Sequence, residues 1–136
     1  MIIFDASTLV SAAFRRGSVP DLAVRHALRT DQIAVSEPVM AEFLDVLYRP
    51  RLARFINPEL RADLLGQIGA GGVVVTPTVP VTDCRDAKDN TYLELALAAK
   101  AATIVSSDDD LLVLHPWRGV GILLPAAYLA EVGANG

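Results

Sequence analysis

The sequence predicts an α/β protein built on a parallel sheet with helices on both faces. Three observations carry that reading. Short runs rich in Val and Ile alternate with segments of helical periodicity along the whole chain. Ser, Asp, Asn and Pro stand where those helical segments would begin. The 136 residues are 52% apolar, which is enough to bury a core and argues against disorder.

Ile2-Ile3-Phe4 is read as the first strand, followed by a helix from Ser7 to Phe14. A second helix is expected from about Val19 to Leu28, with Pro20 near its start. Ile33-Ala34-Val35 is the second strand. Ser36 caps the next helix, whose apolar positions Val39, Met40, Phe43, Val46 and Leu47 recur at helical spacing. Pro50 ends it. Asn57 and Pro58 open a helix to about Ile68, where Gly69, Gly71 and Gly72 are expected to stop it. Val73-Val74-Val75 is the third strand, and Pro77 to Lys88 an irregular connection. Asp89 is positioned to cap a helix through Tyr92, Leu93, Leu95, Ala96 and Ala99. Thr103-Ile104-Val105 is strand four, with a short turn or helix at Asp109 to Leu114. Strand five is Gly121 to Leu124, and Pro125 opens a last helix to about Val132. There are no repeats and no linker, so residues 1–136 are expected to form a single domain.

Composition narrows the function. No window approaches the roughly 18 apolar residues of a membrane helix. The start, Met1-Ile2-Ile3-Phe4-Asp5, has no basic lead before its apolar run, so a secretory signal is not expected and the expected location is the cytoplasm. The single cysteine, Cys84, agrees with a reducing compartment and is expected to be inert. A net charge of −4 argues against a general nucleic-acid coat protein. Residues 1–65 carry eight Arg and eight Asp/Glu, so the acidic excess lies in residues 66–136, which carry four Lys/Arg and eight Asp/Glu.

The acids are not scattered at random. In open parallel sheets ligands bind beyond the carboxyl ends of the strands. Asp5 follows strand one, and Asp108, Asp109 and Asp110 follow strand four. Asp86 and Asp89 open the helix that feeds strand four, and right-handed crossovers put that end at the same edge. Glu42 shares a helical stripe with Val39 and Val46 and has no basic residue three or four positions away. A carboxylate at a core margin without a partner is costly, and a bound cation offsets the cost. Taken singly, Asp5 and Asp89 read as helix caps, Asp86 as a support to the other acids or a structural residue, and Asp108 to Asp110 equally as a solvated turn or as a site. Their common edge is what points to cation binding. Oxygen-only ligands favour Mg²⁺ or Mn²⁺ over zinc, and neither His26 nor His115 has a ligand spacing.

In this order, Asp5, Ser36-Glu37-Pro38-Val39-Met40-Ala41-Glu42, Cys84-Arg85-Asp86-Ala87-Lys88-Asp89-Asn90 and Ser106-Ser107-Asp108-Asp109-Asp110-Leu111 resemble PIN domains. The likeness is greatest to the VapC-like branch that contains toxin components of toxin–antitoxin modules. The resemblance implies a three-layer α/β/α domain with a five-stranded parallel sheet in order 3-2-1-4-5. It also implies a Mg²⁺- or Mn²⁺-dependent endoribonuclease that hydrolyses RNA phosphodiester bonds, forms a homodimer and is silenced by an antitoxin protein. Asp5, Glu42, Asp89 and Asp108 match the family's metal-binding, catalytic acids. Asp86 and Asp110 match less regular acidic positions, and Ser7 a small polar position that orients the first Asp. Asp5-Ala6-Ser7 departs from the frequent Asp-Thr-Asn, and Ser106 stands where Thr is common; both keep a hydroxyl beside the acids.

Arg15, Arg16, Arg49, Arg51 and Arg54 are candidates to grip an RNA backbone, whereas Asp45 and Arg49 form an ordinary helical pair. Two rival enzyme classes lack their residues. A haloacid-type phosphatase needs an Asp where Ser7 stands, and a phospho-acceptor receiver needs an Asp where Thr76-Pro77 follows strand three. The remaining alternative is a non-catalytic PIN-like module that binds nucleic acid or protein.

Overall fold

The computed structural model describes residues 1–133; the expected domain limit of 1–136 includes residues 134–136, which lie outside them. Strand β1 (Ile2–Phe4) leads into α1 (Ala6–Ser11) and α2 (Val19–Thr30). Then come β2 (Ala34–Val35), α3 (Glu37–Leu47), α4 (Pro58–Gly71) and β3 (Val73–Val74). The chain closes with α5 (Asn90–Ala99), β4 (Thr103–Val105), α6 (Asp109–Leu112), β5 (Gly121–Leu123) and α7 (Pro125–Glu131). Single 3-10 turns precede α4, at Pro50–Leu52, and α5, at Ala87–Asp89.

All the strand pairs are parallel. One sheet has three strands in the order β1-β4-β5, with Ile3 opposite Ile104 and Ile104 opposite Ile122. β2 and β3 form a separate pair. The expected single five-stranded ladder is not continuous. At the β1–β2 edge the structure has one parallel bridge, Ile2 with Ile33, and the bond from Ile2 N to Gln32 O (2.9 Å).

The period of two along each strand divides the core. Ile2, Phe4 and Val105 face a cluster built from α1, α2, α3, α4 and α7, including Leu9, Val24, Phe43, Leu47, Ile68 and Tyr128. Ile3, Ile104 and Ile122 face the other cluster, built from α5 and α6 with Tyr92, Leu93, Leu95, Leu111 and Trp117. Burying each such side chain is worth about 1.5–3 kcal/mol, so both sheet faces are anchored and the strand ends are held at one edge.

Local signals set most helix starts. Ser18, Ser36 and Asn57 accept backbone N–H bonds as caps of α2, α3 and α4. One stop differs from expectation: α4 runs through Gly69 to Gly71. A helical glycine costs about 1 kcal/mol without forcing an end. The end falls at Gly72, whose N–H still reaches Ile68 O (2.8 Å) while its backbone turns extended. Among the described residues no helix is long and apolar enough to cross a membrane.

Candidate metal centre

Because β1 and β4 run in parallel, their ends deliver Asp5 and Ser106 side by side. Asp5 caps α1, with Oδ1 accepting from Thr8 N (2.8 Å) and from Ser7 Oγ (3.3 Å). Its other oxygen, Oδ2, accepts a short hydrogen bond from Ser106 Oγ. The same serine oxygen accepts from Asp108 N (2.9 Å), and Asp108 Oδ1 in turn accepts from Asp110 N at the start of α6. A single fully buried hydroxyl thus ties the backbone of one acid to the carboxylate of another, 103 positions apart in sequence.

Glu42 projects from α3. It has no ion pair among the described residues, but its Oε2 accepts from Tyr92 Oη (2.9 Å). The same phenol accepts from Ala6 N (3.0 Å), so Tyr92 joins α5, α1 and α3. Burial, the main cause, pushes the Tyr92 phenol far above its ordinary range, and the nearby charge of Glu42 adds to it. Tyr92 therefore remains a neutral donor at any working pH.

Asp89 corrects an expectation. It does not cap α5: its backbone is helical and its side chain makes no capping bond. Asp86 caps the 3-10 turn instead, accepting from Lys88 N (3.3 Å). Asn90 clamps the preceding loop, accepting from Cys84 N (2.9 Å) and donating to Ala87 O (3.1 Å). The Asp89 carboxyl is left free to face the other acids. It is 4% exposed, and its Oδ2 is buried with no donor. Its pKa is raised to about 7, first by burial, then by the hydrogen bond and charge of Asp108, then by the charges of Asp86 and Glu42. A cation bound beside Asp89 would offset the burial and repulsion that raise it.

Asp5, Glu42, Asp89 and Asp108 line one open cleft of about 620 Å³, together with Ser7, Val46, Arg49, Asp86, Lys88 and Tyr92. Among the described residues the acids whose carboxylate oxygens all lie within 4.8 Å of one another are Asp86, Asp89 and Asp110; Asp5, Glu42 and Asp108 share the cleft but not that spacing. Asp110 does not line the cleft and pairs with Arg85 Nη2 (2.8 Å). Of the candidate arginines only Arg49 reaches the cleft wall, where it also pairs with Asp45 (2.8 Å); Arg15, Arg16 and Arg51 are exposed elsewhere. Cys84 is buried, and burial raises its thiol pKa. His115 Nδ1 accepts from Ile122 N, and His26 packs edge-on to Tyr128.

Tyr92, Asn90 and Lys88 escaped the sequence reading as functional side chains. Tyr92 lies three residues after Asp89, hence on the same helix face, which was the available signal. The all-oxygen donor set, with one buried oxygen lacking any donor, fits a hard divalent cation.

The residues that shape this cleft all fall within a match to the PIN domain family, whose profile covers residues 1–110; the chain belongs to that family. PIN domains are in general metal-dependent nucleases, so the class is a hydrolase acting on nucleic acid with divalent metal. An uncharacterized protein of Methanocaldococcus jannaschii is 23% identical over 116 residues, 84% of this chain and 74% of that protein.

Proposed function

We propose that the protein is a Mg²⁺- or Mn²⁺-dependent endoribonuclease and the toxin component of a toxin–antitoxin module. Asp5, Glu42, Asp89 and Asp108 are the metal-holding acids. The supporting observation is their joint position around one cleft, with the donorless Asp89 oxygen buried in it. The bound cation would activate water as nucleophile and offset charge developing on the phosphate.

The chain's own residues supply orientation. Ser106, with help from Ser7, fixes the rotamer of Asp5 and its relation to Asp108. Tyr92 fixes Glu42. Asp86 sits beside Asp89 and adds negative charge that attracts the cation. Asp110, beside Asp86 and Asp89, pairs with Arg85. Lys88 and Arg49 stand on the cleft wall within reach of an entering phosphate. In this reading the chain is one domain. Its five strands run 3-2-1-4-5 across the Ile2–Ile33 bridge, it works as a cytoplasmic homodimer, and an antitoxin covers the cleft.

The test is cleavage of a single-stranded RNA with Mg²⁺ or Mn²⁺ by the wild-type protein and by Asp5→Asn and Asp108→Asn. Asn caps a helix as well as Asp, so the fold should survive while cleavage is abolished. Undiminished cleavage by purified Asp5→Asn would refute the assignment. Mn²⁺ binding without any cleavage by the wild type would favour the non-catalytic module.

A further inference from the structure

Asp86 and Asp89 reach the cleft at the end of a loop with little backbone support. From Thr76 to Arg85, among the described residues, no backbone group bonds to another backbone group. Side chains hold the segment instead. Glu94 Oε2 accepts from Val81 N (2.9 Å), and Asn90 Oδ1 accepts from Cys84 N (2.9 Å). Both partners belong to α5, the helix that Asp89 precedes. They tie the loop to its own side of the site.

Other contacts cross to the side that carries Asp108. Arg85 pairs with Asp110 at the surface, where such pairs hold little. The Cys84 thiol donates to Asp110 O (3.5 Å), and a thiol is a weak donor. The strongest crossing bond lies at Asp83, whose Oδ2 accepts from Trp117 Nε1 (2.8 Å), an indole N–H on a carboxylate. Trp117 is a firm support. It is buried in the same core cluster as Tyr92, Leu93 and Leu111. Its backbone closes a tight turn, with Trp117 N donating to Val120 O (2.9 Å) and Val120 N to Trp117 O (2.7 Å). Arg118 and Gly119 between them both have positive φ, 48° and 82°, as a two-residue hairpin turn requires. The Arg118 guanidinium lies over the Trp117 ring (4.6 Å) and reaches the same Asp83 oxygen (3.2 Å). Val81 and Cys84 pack into this core as well, but apolar contact has no direction and does not fix where the loop's acids point.

We propose that Asp83 is a positioning residue. Through Trp117 it fixes the loop that sets Asp86 and Asp89 against Asp108, and so it sets the cleft's affinity for a divalent cation. The proposal rests on the reading of the acidic cleft as a metal centre. It adds a residue that does not line the cleft and a support on the connection between α6 and β5.

The test is Mn²⁺ binding by calorimetry to the wild type, Asp83→Ala, Asp83→Asn and Trp117→Phe. Partners that orient ligands directly are worth about 10- to 100-fold in metal affinity. Asp83 acts one step further out, so Asp83→Ala and Trp117→Phe should each weaken Mn²⁺ about 3- to 10-fold. Asp83→Asn keeps an acceptor for the indole and should bind nearly as wild type. Amide hydrogen exchange of residues 81–88 in the metal-free protein should be faster in Asp83→Ala and near wild type in Asp83→Asn.

An Asp83→Ala protein that unfolds at a lower temperature but binds Mn²⁺ as wild type would make the tie structural only and overturn the proposal. Equal weakening in Asp83→Asn and Asp83→Ala would also overturn it, by making the effect one of charge. A wild type that binds no Mn²⁺ would sink the metal reading and the proposal with it. A wild type that binds, with Asp83→Ala and Trp117→Phe binding equally well, would sink the proposal alone.

Discussion

Tyr92→Phe isolates the least obvious part of the site. The substitution keeps the ring and its packing, so no cavity opens. It removes one oxygen that accepts from Ala6 N (3.0 Å) and donates to Glu42 (2.9 Å). The Ala6 N–H is left buried without an acceptor, which costs about 1–3 kcal/mol. For a chain of this size each kcal/mol lowers Tm by roughly 3–5 °C. Thermal unfolding without metal should therefore show a drop of about 3–15 °C. Glu42 also loses its only hydrogen-bond donor among the described residues, so Mn²⁺ affinity measured by calorimetry should fall about 10-fold or more. A lower Tm with unaltered Mn²⁺ affinity would make Tyr92 structural only. No change in either would refute the account of how Glu42 is held.

The remaining predictions concern charge and backbone. Asp89 holds its proton more tightly folded, at about 7, than unfolded, near 3.8. Its contribution to apo stability is therefore full below about pH 4 and is lost as pH rises through about 7. Apo Tm attributable to this group should fall across that window, Mn²⁺ binding should tighten and release a proton, and Asp89→Asn should flatten both; an Asp89→Asn profile identical to wild type would exclude Asp89 as the source. In α4, Gly66→Ala adds a Cβ into open space and should raise stability by about 0.5–1 kcal/mol. Gly72→Ala places its Cβ 2.6 Å from Ile68 O and should lower it. Chemical denaturation of the two variants checks the pair, and equal shifts would count against the observed end of α4.

The parallel α/β class and the positions of most elements were legible because their causes are local. Ser36 caps α3 and Asn57 caps α4 with atoms two to three residues away. The edge on which the acids would lie followed from parallel strands and right-handed crossovers. Only the capping role expected of Asp89 failed, because the same residue type caps helices and binds cations. The choice was made by Asp86 and Asn90, which took over the local bonds and freed its carboxyl. The arginines could be named, but which one meets the cleft could not, since charge alone carries no position.

Alone, the sequence determined the alternation of strands and helices, the caps and the acid-bearing strand ends, because each depends on neighbours within about four residues. Tertiary structure decided what those acids meet. Tyr92 finds Glu42 across 50 positions and Ala6 across 86, and Ser106 finds Asp5 across 101. Contacts at such separations depend on how two packed cores set the strand and helix ends against one another, and no periodicity or motif records that distance.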